Sequence, residues 1–181
     1  MKISRFPIRY LPKNLTKKDV VLQRKLLEKS KRLYRKGQFY TRKRNIKSFK
    51  TKPSKHLRTV KKIYGIEPLN PEDPILAKKT GCSLESLQKI VNKGEGAYYS
   101  SGSRPNQTPQ SWGIARLASS ITGQKAAAVD YNILEEGCNH RKRAFMLAKT
   151  AKKKYGYGHG SAKHSSTFST FRKGGAKFSE K

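Results

Sequence analysis

A near-neutral centre between two strongly basic flanks most limits what this chain can fold into. Residues 1–65 carry 23 basic and 2 acidic side chains, residues 66–138 carry 7 and 8, and residues 139–181 carry 12 and 1. Self-repulsion at a net charge of +31 opposes compaction of the flanks unless an acidic partner meets them. The centre is free of that burden. Its stretch from Gly94 to Gly137 holds the single Trp, paired tyrosines and 18 of the 43 Gly, Ala and Ser residues, and has only two basic side chains after Arg104. Small residues let backbones approach closely, so a compact core is expected there.

With 181 residues the chain can form one modest domain. A polyanion is the partner that such charge favours, with an acidic protein surface or an anionic membrane next. The start, MKISRFPIRYLPK, has no apolar run of signal-peptide type, and no stretch is apolar enough to span a bilayer. Cys82 and Cys138 are too few for a disulfide framework. They fit a reducing compartment or a single optional bridge, each read first as a small buried hydrophobe.

The first 13 residues read as an extended apolar-basic arm with Phe6, Ile8 and Tyr10 as surface anchors. Thr16 is placed to cap a long basic helix that ends at Gly37, with Asp19 three residues on. Leu22, Leu26 and Leu33, flanked by Val20, Leu27 and Tyr34, form its expected inward face. The segment from Gln38 to Gly65 mixes cations with Phe39, Tyr40, Phe49 and Tyr64. Such interleaving suits phosphate neutralisation with base stacking. It suits equally a strap whose rings fill pockets on a neighbouring protein. Pro68, Pro71 and Pro74 mark a linker.

Ser83 is placed to cap a helix with Leu84, Leu87, Ile90 and Val91 on one face and Gly94 after its last turn. A loop through Gln107 follows, then a helix capped by Thr108, opened by Pro109 and ended by Gly123. Trp112, Leu117 and Ile121 are expected to pack on Leu87 and Ile90. Residues 125–136 read as helix, with a short strand through Val129–Tyr131 as the alternative. Asn139 would cap a last helix burying Ala144, Phe145, Leu147 and Ala148. The tail from Tyr155 has the composition of a disordered segment.

The fold class read from these elements is mainly α: a small helical domain with a long basic N-terminal helix and extended basic arms. The divisions are 1–74, an arm, helix and strap; 75–154, a compact helical domain; and 155–181, a basic tail. Candidate partner or nucleic-acid-binding residues are Phe39, Tyr40, Arg42, Lys43, Arg44, Phe49, Lys50, Lys61, Lys62 and Arg104. No catalytic set, cofactor or metal is expected. The loop before Thr108 offers Ser101, Ser103 and Arg104 to an anion, but no Gly-Lys-Ser/Thr follows as a P-loop needs. Gly156, Gly158 and Gly160 follow no strand, which argues against a dinucleotide site. Cys82, Cys138, His56 and His140 are too scattered for a zinc site. Asp130, Glu135 and Glu136 read as a solvated turn or as partners of Arg116 and Arg141 rather than as acid/base groups.

Three runs, Gly96–Gln107, Ser111–Ser119 and Ala126–Tyr131, carry a resemblance. With the basic region before them they resemble a domain of unknown function in large nucleocytoplasmic DNA viruses, including algal viruses and their giant relatives. The resemblance covers roughly residues 9–150 and supplies no catalytic residues. It implies a virion protein on the inner side of the capsid, assembled in the host cytoplasm. By analogy it implies a minor capsid or cement component that binds the major capsid protein and other minor capsid proteins through extended arms. Viral DNA is the alternative partner, bound non-enzymatically for packaging. Contact with a membrane would be limited to an inner-membrane surface, and no small-molecule substrate is implied.

Overall fold

The computed structural model describes residues 6–43 and 45–156. Eight helices hold 60% of them, with no strand among the described residues, so the mainly α class stands. In chain order these are α1 (Lys17–Tyr34), α2 (Lys55–Tyr64), α3 (Pro74–Thr80), α4 (Leu84–Ser100), α5 (Pro109–Ile121), α6 (Lys125–Val129), α7 (Tyr131–Gly137) and α8 (Arg143–Tyr155). Of the tail, only Tyr155 and Gly156 are described; the rest lies outside the described residues.

The centre is an antiparallel hairpin of α4 and α5. Its start signals act as the residue types demand. Ser83 accepts from the Ser86 amide, and Thr108 and Ser111 cap reciprocally with Pro109 inside the first turn. The glycine expected to end α4 does not end it: the helix runs through Gly94 to Ser100. Packing explains this. A Cβ on Gly94 would stand 2.6 Å from the Cα of Gly113, and one on Gly113 would stand 2.8 Å from the Val91 carbonyl oxygen. The two helices cross glycine on glycine. That contact offsets the ~1 kcal/mol that glycine costs inside a helix. Leu87, Ile90, Leu117 and Ile121 fill the core beside the crossing and are fully buried.

Trp112 lies elsewhere. It is half-buried and meets Tyr10 edge-on at 5.9 Å, in a second cluster with Phe6, Leu11 and Leu27. The expected packing of Trp112 on Leu87 and Ile90 is therefore corrected. The first turn of α5 reaches past the main core to the N-terminal segment, so its indole serves that segment instead.

The chain before residue 75 is part of the same body. Residues 55–64, read from sequence as strap, are helix α2, stopped by Gly65 in the left-handed region. Val60, Tyr64 and Ile66 share the main core with Leu87 and Ile121. The Tyr64 hydroxyl donates to the Ile121 carbonyl at 2.7 Å, and burial pushes its phenol up to about 12 against the nearby Arg143. The Lys79 ammonium donates to the Tyr64 carbonyl at 2.7 Å, tying α3 to the end of α2.

Helix α1 turns an unexpected face inward. Its buried residues are Asp19, Gln23, Leu27 and Ser30, while Leu22, Leu26 and Leu33 are only half-buried and Tyr34 is exposed. Polar groups sit inside because irregular backbone lies under this helix and must be satisfied. Gln23 donates to the carbonyls of Tyr10 and Ser103, and Ser30 donates to that of Tyr99.

The ambiguous stretch after Gly123 is helical and divides at Asp130 into α6 and α7. Gly137 is the last residue of α7 and not the stop beyond it. A Cβ there would overlap the Ser86 side chain, so close approach to α4 requires the glycine. Lys142, not Asn139, caps α8; Asn139 instead accepts from the Arg141 amide in the preceding turn.

Candidate nucleic-acid interface

The strap from Gln38 to Lys50 is extended but folds onto its own chain. The Ile46 amide donates to Asn106 Oδ1, and Asn106 Nδ2 donates back to the Ile46 carbonyl at 3.0 Å. Ile46 is 1% exposed. Asn106 achieves this pairing at φ +60°, in the left-handed region that Asn tolerates better than most residues. Two residues on, Ser48 donates to Asp19 from its amide at 2.8 Å and its hydroxyl at 2.6 Å. Those bonds hold the Asp19 carboxyl below its ordinary range.

Arg42 is the deepest cation of the strap, at 5% exposure. Its guanidinium lies 3.6 Å over the Tyr98 ring. It donates to Ser30 Oγ at 2.8 Å, Ser103 Oγ at 2.9 Å and the Tyr98 carbonyl at 3.0 Å. The Tyr98 hydroxyl accepts from the Arg42 amide at 2.9 Å. Burial lowers the pKa of this arginine, and ring and hydroxyl acceptors stabilise its charge. Arg42 thus locks the strap between α1 and α4, and at that burial it is out of reach of an external partner.

The other candidate residues stand at the surface to differing degrees. Lys43, Lys50, Lys61, Lys62 and Arg104 are exposed, Tyr40 and Phe49 are half-buried, and Phe39 is 69% exposed. Arg44 lies outside the described residues. Lys61 pairs with Glu67, and Lys29 sits 4.4 Å over the Tyr40 ring. These residues do not converge on one pocket. They spread over the strap, the outer face of α2 and the loop before α5. Sequence reasoning missed Lys55 and Arg58 on α2, which are exposed at helical spacing from the candidate Lys62.

The loop at residues 101–108 is architectural. Ser103 is buried under Arg42, and at the start of α5 the Ser111 amide is held by Thr108 Oγ1 and the Thr108 amide by Ser111 Oγ. The cysteines are joined in a Cys82–Cys138 disulfide, so neither is a free thiol for metal or nucleophilic chemistry. His140 stacks on Phe145 at 4.0 Å. Among the described residues no three His, Cys, Asp or Glu side chains converge as metal ligands would. Asp130 is buried and held by Arg116, Lys93 and Ser120. Lys93 takes the place of the expected Arg141.

With 42 cations and 11 carboxylates, most basic side chains have no acidic partner of their own. Asp19 and Asp130 are engaged inside the fold, and Glu67 and Glu85 are held by Lys61 and Lys89. The arrangement can bind a polyanion by charge.

A family model described as a family of unknown function (DUF5824) matches residues 7–136. The chain belongs to this family. The DUF5824 region takes in the N-terminal segment, the strap and α1 to α6, and ends within α7, so Cys138 and α8 lie beyond it. No curated protein and no solved structure matches the chain.

Proposed function

We propose that this protein binds nucleic acid without transforming it, as a structural component on the genome side of a large DNA virus particle. The observation that carries the reading is the surplus of surface cations left once the carboxylates are engaged. The resemblance of the three central runs to a domain of large DNA viruses supports the viral setting. A capsid cement working through extended arms would present apolar anchors to its neighbours. Of the anchors such an arm would offer, Phe6 and Tyr10 are buried within this chain, Ile8, Tyr40 and Phe49 are half-buried, and Phe39 is exposed. That favours charge over arms as the means of attachment.

The test is duplex affinity as a function of salt for the intact protein and for a Lys55→Ala, Arg58→Ala, Lys62→Ala variant. Each phosphate left without its cation should reduce the slope of log affinity against log salt by about 1, so a decrease of about 2–3 is expected. The substituted side chains are exposed, so helical content should not change. An unchanged slope would remove α2 from the interface. Failure to bind duplex or single strand at moderate salt would overturn the nucleic-acid reading. Recovery of the protein with the shell of a dissociated particle would then favour the cement role.

A further inference from the structure

One exposed aromatic cluster has no packing role that accounts for it. Phe39, just past α1, is 69% exposed. The ring is not loosely placed. Tyr34 meets it at 6.0 Å and Tyr99 at 5.1 Å, each inclined at 63°. Tyr99 rests in turn on Tyr98 at 5.1 Å, which is fully buried and carries the Arg42 guanidinium on its face. The Tyr99 hydroxyl also stands 3.4 Å from Thr41 Oγ1. A buried scaffold thus fixes an exposed ring.

The segments that hold these rings carry charge of one sign. No carboxylate occurs in the sequence between Glu28 and Glu67, or between Glu95 and Asp130, the two stretches that supply all four rings. Arg32, Arg35, Lys36 and Lys43 are carried on the segments that hold Tyr34 and Phe39, and all four are exposed. We infer that the Tyr34–Phe39–Tyr99 cluster is a stacking platform for a base of single-stranded nucleic acid, with Arg35, Lys36 and Lys43 meeting the flanking phosphates. This rests on the nucleic-acid reading above and narrows it to a strand type and a site. A duplex keeps its base faces stacked inside and has nothing to offer an exposed ring. A single strand presents both open bases and phosphates. A protein anchor would need apolar surroundings or opposite charges beside the ring, and neither stretch supplies a carboxylate.

The experiment measures affinity of the intact protein for oligothymidylate and for a duplex of equal length, with Phe39→Ala and Phe39→Trp variants. Phe39→Ala should weaken single-strand binding roughly 5- to 100-fold and change duplex affinity less than about twofold. Phe39→Trp should restore single-strand binding, and its added indole fluorescence should be quenched by oligothymidylate. The ring is exposed, so thermal midpoints should agree among the variants. Equal weakening on both ligands, or no change on either, would overturn the platform without overturning the nucleic-acid reading itself. Unchanged binding together with failure to join the capsid would reassign the ring to a protein partner.

Discussion

Reduction of the Cys82–Cys138 disulfide is expected to lower unfolding free energy by about 4 kcal/mol, the loss that chain entropy assigns to opening a loop of this length. The two residues are 56 apart in sequence. They join the α3–α4 junction to the α7–α8 junction, and both are buried. The native backbone does not depend on the bond for its local order. The Ser83 amide donates to the Gly137 carbonyl at 2.8 Å and the Asn139 amide to the Gly81 carbonyl at 2.7 Å, on either side of it. The bond acts mainly on the unfolded chain, which it constrains. Denaturant unfolding with and without a thiol reductant should show the difference. A Cys82→Ala, Cys138→Ala variant should match the reduced protein and ignore reductant. Identical midpoints with both thiols shown to be free would contradict this account.

Asp130→Ala is expected to cost about 3 kcal/mol, because it leaves cations converging on an empty acceptor. The carboxylate is fully buried and takes Arg116 bidentately, Nε at 2.9 Å and Nη2 at 2.6 Å. Ser120 Oγ donates at 2.8 Å and Lys93 Nζ stands at 3.0 Å. One side chain therefore joins α4, α5 and the α6–α7 break. The cost falls at the lower end of the range for broken buried pairs because Lys93 is 44% exposed and can turn to water, whereas Arg116 is 19% exposed and cannot do so fully. Lys93→Ala should accordingly cost less than about 1 kcal/mol. Adding Arg116→Met to Asp130→Ala should recover part of the stability, a coupling read from a double-mutant cycle by chemical denaturation. A cost below about 0.5 kcal/mol for Asp130→Ala would mean that the cluster is solvated.

These elements also show what the sequence could disclose. The α5 start was legible because Thr108, Pro109 and Ser111 state a cap locally. The helical class and the burial of Leu87, Ile90, Leu117 and Ile121 follow from periodicity within single helices. What was not legible depends on partners distant in sequence. Gly94 reads as a stop until Gly113 is placed against it. The inward face of α1 is polar because Tyr10, Ser48, Tyr99 and Ser103 come to meet it, and no pattern within α1 announces them. Arg42 reads as a surface cation until Tyr98 stands beneath it. The start of α2 was hidden by the basic run before it, although Gly65 after Ile63 and Tyr64 was a usable stop signal. For the candidate interface, composition disclosed the charge, but only the fold separates the buried Arg42 from the exposed Phe39, three residues earlier.

The central claim is that the strap belongs to the body of the protein, which leaves surface charge rather than free arms for a partner. Native-state hydrogen exchange of the isolated protein tests it most directly. The amides of Arg42, Ile46 and Ser48 donate to Tyr98 Oη, Asn106 Oδ1 and Asp19 Oδ2. Their exchange should be slowed at least about a hundredfold relative to unstructured chain. Exchange of these three amides at the unstructured rate would show a free strap, contradict the account and return the arm to the cement reading.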